Sequence, residues 1–166
     1  SKKMILIAIG SNLSSTQFGN PMNNCLEAIN KLELFFKVTK ISNWYETEPI
    51  PKSEQPWFVN GIVNVITDKR PEEIMRTLLV IEKEFGRLRS KKNEARVIDL
   101  DLIAYDNLVI KTKFLILPHP RMHERLFVLK PLNDIFPNWK HPVLKKNVKS
   151  LLNMIKNYQN INEYKI

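Results

Sequence analysis

Residues 97–105 read Val-Ile-Asp-Leu-Asp-Leu-Ile-Ala-Tyr, an aliphatic and β-branched run without Gly or Pro that nevertheless carries two carboxylates. Such a run reads as a buried strand. Side chains alternate along a strand, so Asp99 and Asp101 point from the same face with their carboxylates close together. Two like charges at that spacing repel unless a proton, an arginine or a metal ion sits between them. Oxygen-only ligands suit Mg²⁺, which keeps several waters and shares its shell with substrate phosphates. The bland alternative is an edge strand with solvated aspartates.

Immediately upstream lies a basic cluster of Arg87, Arg89, Lys91, Lys92 and Arg96. Cations beside a carboxylate pair are what nucleotide phosphates and Mg²⁺ together require, since guanidinium groups take up phosphate charge by bidentate hydrogen bonds. A solvated basic loop is the competing reading. Downstream, Pro118-His119-Pro120-Arg121-Met122-His123-Glu124-Arg125 holds two of the three histidines, is pinned by prolines and runs into Leu126-Phe127-Val128-Leu129.

The apolar pattern predicts a strand over residues 4–9, stopped by Gly10-Ser11-Asn12, and a helix opened by Asn20 as N-cap and Pro21 as first helical residue. Strands follow over residues 38–45 and 58–66, separated by a loop punctuated by Pro49, Pro51 and Pro56. Arg70-Pro71-Glu72-Glu73 opens a second helix that Gly86 terminates. After the aspartate strand, read as central in the sheet, residues 127–129 form a short strand. Leu151, Leu152, Ile155 and Tyr158 mark a terminal helix. The chain is read as one domain over residues 1–166 with residues 160–166 frayed. The order β-α-β-β-α-β predicts an α+β, ferredoxin-like plan, a mixed or antiparallel sheet with helices on its faces in three α-β-α layers.

Composition narrows the function classes. With 166 residues, 43% of them hydrophobic, the chain can bury a full core. No apolar run approaches a membrane span, and residues 4–9 are too short for a signal peptide. The single Cys25 rules out an internal disulfide, fits a reducing cytoplasm and falls on the apolar stripe of a helix, as a buried inert thiol does. A net charge of +9 attracts anions, although many of its lysines cluster near the termini. With 4 glycines and neither G-x-G-x-x-G nor a P-loop, the chain cannot build a Gly-rich phosphate cradle. A nucleotide here must be held by side chains and metal. On the strand over residues 58–66, Phe58 and Asn60 share a face, placing a ring and an amide where a flat heterocycle could stack and be read at its edge. A core Phe beside a solvated Asn is the plain alternative.

Gly10-Ser11-Asn12-Leu13, Tyr45-x-Thr47-x-Pro49 with Gln55-Pro-x-Phe58-x-Asn60, Arg96-x-x-Asp99-x-Asp101-Leu-Ile, and Pro118-His119-Pro120-Arg121-x-x-x-Arg125-x-Phe127-Val-Leu-x-Pro131-Leu together resemble the 6-hydroxymethyl-7,8-dihydropterin pyrophosphokinases of folate biosynthesis. The resemblance covers about residues 4 to 135. It implies transfer of the β,γ-diphosphate of ATP to the pterin hydroxymethyl group, with two Mg²⁺ ions on Asp99 and Asp101. It implies that Arg87 and Arg96 handle phosphate, with Arg89 beside them. Phe58 and Phe127 would sandwich the pterin, Asn60 would read its edge, and Asp99 and backbone groups near Thr47 and Ile50 would assist. Glu82, Leu102, His119 and Arg125 would lie at the ATP site. The implied partners are small molecules only, with no nucleic acid or membrane, for a cytoplasmic monomer. Neighbouring or fused folate enzymes, dihydropteroate synthase and dihydroneopterin aldolase, also occur in the family, and no such segment is read in this chain. Asn93 replaces the family's frequent aromatic, and Leu79 and Phe114 replace polar or basic contacts.

Two other classes compete. A different metal-dependent nucleotidyltransferase or phosphohydrolase would use the same aspartates. A basic ferredoxin-like RNA-binding domain would instead show an aromatic RNP-like strand, where this chain has Asp-Leu-Asp-Leu-Ile. The loop over residues 87–94, charged and without an apolar anchor, is expected to act as a mobile lid.

Overall fold

The computed structural model describes residues 4–86, 97–156 and 159–165. Strand β1 (Ile5–Ser11) sits between β4 (Phe58–Ile66) and β5 (Asp99–Tyr105), antiparallel to both. Along the other side of β4 run β2 (Lys37–Ile41) and β3 (Trp44–Thr47) in series, and β8 (Ile161–Tyr164) pairs with β3. The main path is β5-β1-β4-β3-β8, and each of these pairings is antiparallel. A two-stranded hairpin, β6 (Ile110–Lys111) with β7 (Ile116–Leu117), stands apart.

Alternation along the strands divides the apolar side chains between two cores. Ile5, Ile7 and Ile9, with Val59, Val63 and Val65, pack under α1 (Pro21–Leu32) and α2 (Pro71–Glu84). Leu6 and Ile62 point the other way, under α3 (Leu126–Ile135) and α4 (Val148–Asn153). The result is the three-layer, ferredoxin-like α+β plan. Local signals set the first two helices. Asn20 Oδ1 accepts the Asn23 N–H at 2.9 Å ahead of Pro21. Gly86, at φ +79, takes the left-handed conformation that stops α2.

Six expectations need correction. Strand β5 lies at an edge of the sheet and is not central. Gly10 and Ser11 do not stop β1; they continue it, opposite Asn60 and Val59. The run over residues 38–45 is broken at Ser42, whose hydroxyl accepts the Ile62 N–H at 2.8 Å in place of a ladder bond. Residues 127–129 are helical. Val128, Leu129 and Leu132 fall on one helical stripe that packs on the sheet, and a short apolar run cannot reveal that period. The last helix is α4, opened by Asn147, whose side chain accepts from the Ser150 N–H at 2.9 Å, and Tyr158 lies outside the described residues. Finally, Ile161–Tyr164, expected to belong to a frayed end, forms a strand whose backbone is paired to β3.

Packing across β4 is tight at one glycine. A Cβ on Gly61 would lie 2.6 Å from the buried Trp44 ring. Gly61→Ala should therefore cost about 1–3 kcal/mol of stability through overpacking. Urea unfolding should show a lower midpoint at unchanged slope.

Candidate active site

The sheet face under α3 and α4 opens into a cavity of about 760 Å³. Its floor follows from strand register. Gly10 is paired with Asn60 on one side and with Asp99 on the other, and Ala8 is flanked by Ile62 and Asp101. The two smallest side chains of β1 thus lie between the carboxylates and the amide. Asp99 and Asn60 stand two strands apart, about 10 Å at ordinary strand spacing. That distance suits a ligand with a flat head at one end and phosphates at the other. A Cβ on Gly10 would lie 2.7 Å from Asn60 Oδ1, so glycine here makes room for the amide.

Asp99 and Asp101, both half-buried, line this cavity together with Thr47, Ile50, Phe58, Asn60, Arg125 and Phe127. Asn60 is 7% exposed and its Nδ2 donates to the Thr47 hydroxyl at 2.6 Å. The amide is thereby oriented. Phe127 enters from the first turn of α3, with the Arg125 guanidinium 5.4 Å from its ring centre. Burial lowers the pKa of Arg125, while the charges of Asp101 and Asp99 oppose that shift.

The other expected ATP residues lie off the cavity wall. Glu82, 2% exposed, accepts the Leu100 backbone N–H at 2.8 Å and ties α2 to β5. Leu102 is packed in the core under α1 and α2. His119 donates its backbone N–H to Ile103, and its Nδ1 accepts from the Arg121 N–H at 3.2 Å. Burial, reinforced by Arg125, pushes its pKa down to about 4, with Asp99 opposing. The imidazole is therefore neutral near pH 7, and the hydrogen bond at Nδ1 leaves the proton on Nε2. Arg87, Arg89 and Arg96 lie outside the described residues, and so does the lid expected over residues 87–94.

Several wall residues escaped the sequence reading. Gln55 and Arg121 stand in the family motifs and His123 in the proline-pinned segment, and the sequence gives none of them a site role. Asn12, 1% exposed, explains how Gln55 gets there: its Nδ2 donates to Gln55 Oε1 at 3.2 Å and to the Pro56 carbonyl at 3.0 Å. Glu48, Lys52, Lys156 and Gln159 carry no sequence signal that would have placed them there.

The donor chemistry of the carboxylate pair is all oxygen. Among the described residues no group of three or more His, Cys, Asp or Glu forms a complete metal cage. Two carboxylates facing an open cavity fit Mg²⁺, which completes its shell with water and phosphate oxygens.

The family model for 7,8-dihydro-6-hydroxymethylpterin-pyrophosphokinase matches residues 6–137. The chain belongs to this family. A 2-amino-4-hydroxy-6-hydroxymethyldihydropteridine pyrophosphokinase of Aquifex aeolicus is 36% identical over 145 residues, covering 87% of this chain and 88% of the relative. The folic acid synthesis protein fol1 of Pneumocystis carinii is 40% identical over 152 residues, 91% of this chain. This chain spans only 20% of that longer relative's length. In fold, a solved HPPK-DHPS structure in complex with substrates superposes with a TM-score of 0.70 at 17% identity, covering 92% of this chain and 43% of the other. For this pyrophosphokinase-family chain, the matched stretch includes the carboxylate pair, Asn60 and Phe127, and ends before α4. None of the helices among its described residues is long and apolar enough to cross a membrane.

Proposed function

We propose that this chain transfers the β,γ-diphosphate of ATP to the hydroxymethyl group of 6-hydroxymethyl-7,8-dihydropterin, in the cytoplasm. The observation that carries this reading is that one cavity joins the Asp99–Asp101 pair to Phe58, Asn60 and Phe127 across a floor of Gly10 and Ala8. The pterin hydroxyl oxygen forms a bond to the β-phosphorus. The bond between that phosphorus and the oxygen bridging it to the α-phosphate breaks, AMP leaves with the bridging oxygen, and the hydroxyl proton is released.

Little of this is covalent work for the protein, so positioning and charge neutralisation dominate. Phe58 and Phe127 offer aromatic faces to the pterin ring. Asn60, with Nδ2 already given to Thr47, presents its carbonyl oxygen as an acceptor for ring N–H groups. Arg125 supplies fixed positive charge near the carboxylates. Asp99 and Asp101 would hold Mg²⁺, which would supply neutralisation of the phosphate charge. Arg87, Arg89 and Arg96 are proposed as further phosphate-handling cations, on the sequence resemblance alone.

Product analysis tests the reading. With ATP and Mg²⁺, AMP should form only when the hydroxymethyldihydropterin is present, in equal amount with the pterin diphosphate. ADP, inorganic phosphate or AMP formed without pterin would instead indicate a phosphohydrolase or a nucleotidyltransferase.

A further inference from the structure

The segment between β3 and β4, residues 48–57, forms one wall of the cavity, and it is tied to a remote part of the chain. Glu48, 8% exposed, exchanges four hydrogen bonds with residues 159 and 160. Its Oε1 accepts the Asn160 backbone N–H at 2.9 Å and its Oε2 accepts from Asn160 Nδ2 at 3.3 Å. Its carbonyl accepts from Gln159 Nε2 at 2.7 Å, and its N–H donates to the Asn160 carbonyl at 3.1 Å. The bond from the Asn160 N–H is the main cause that lowers the Glu48 pKa, so the carboxylate stays charged. Glu48 directly follows Thr47, whose hydroxyl accepts from Asn60. A loop residue bound on side chain and main chain alike, next to a residue that orients the amide, is placed to set the shape of that wall.

We propose that Glu48, latched by Gln159 and Asn160, is a positioning residue that holds the heterocycle end of the cavity in its binding shape. The proposal rests on the pterin reading of that end. The latch acts through Thr47 and Asn60, so it affects the pterin and leaves the phosphate end unaltered. Strand β8 has this second task because the two residues before it dock on Glu48 while its own backbone extends the sheet along β3.

Steady-state AMP formation with each substrate varied in turn decides the matter. Glu48→Ala should raise the pterin KM about tenfold, the worth of a charge-assisted hydrogen bond, and leave the ATP KM within about twofold. Glu48→Gln, which keeps an acceptor, should recover most of that loss. A merely structural role would lower the melting temperature and the active fraction without splitting the two KM values. Equal shifts for both substrates, or no shift in a folded variant, would overturn the proposal. If Glu48→Ala does not fold, Gln159→Ala carries the test, and an unchanged pterin KM there would overturn it equally. A wild-type chain that forms no pterin-dependent AMP would remove the reading of the cavity, and the latch with it. A wild type that does, beside an unaffected Glu48→Ala, removes the latch alone.

Discussion

Asp99→Asn combined with Asp101→Asn is expected to lower kcat by more than ~10²-fold while the fold persists, because the pair acts where phosphate charge develops. The two carboxylates project from one face of β5 into the cavity, with Arg125 close enough to feel both charges. Neither side chain belongs to an apolar core, so replacing them with amides of the same shape should leave the packing of β5 unchanged. A second readout separates lost ligands from lost structure. ATP with Mg²⁺ should raise the melting temperature of the wild type by mass action, and do so far less in the double variant. Near-normal turnover with Mg²⁺ in that variant would end the metal-site reading.

Phe58→Ala and Phe127→Ala should each weaken pterin binding roughly tenfold or more and ATP binding within about twofold. Each ring contributes stacking of ~0.5–1.5 kcal/mol in addition to its buried area. The rings come from different elements, β4 and the first turn of α3, and both are half-buried on the cavity wall. That partial burial predicts a smaller stability loss than for a core phenylalanine. Fluorescence titration with the pterin in the presence of a non-hydrolysable ATP analogue measures the first effect, and the ATP KM measures the second. Equal losses for both ligands would make the rings packing residues.

The legible parts of the chain were those in which one local rule decides. The α1 start follows from an Asn-Pro pair, and the α2 end from a glycine in the left-handed conformation. Strand alternation was enough to put Asp99 with Asp101, and Phe58 with Asn60, on shared faces. Helix α3 was illegible because Pro131 and a short apolar run argue against a helix, while packing of Val128, Leu129 and Leu132 on the sheet outweighs that preference. Strand β8, Ile-Asn-Glu-Tyr, shows no two-residue apolar alternation to find, since its backbone pairs with β3 and only Tyr164 packs against the core under α1 and α2.

By itself, then, the sequence determined the chemistry on offer: which strand carries the carboxylates, which carries the ring and the amide, and that neither Gly-rich phosphate motif occurs. Those are properties of residue type and of the two-residue strand period, which act within a few positions. Only the tertiary structure decided that β5 is an edge, that Gly10 and Ala8 form the floor between the carboxylates and the amide, and that Glu48 meets Asn160 across the chain. Each of these depends on register between strands distant in sequence. Register is fixed by the burial of two cores at once, which no local window contains.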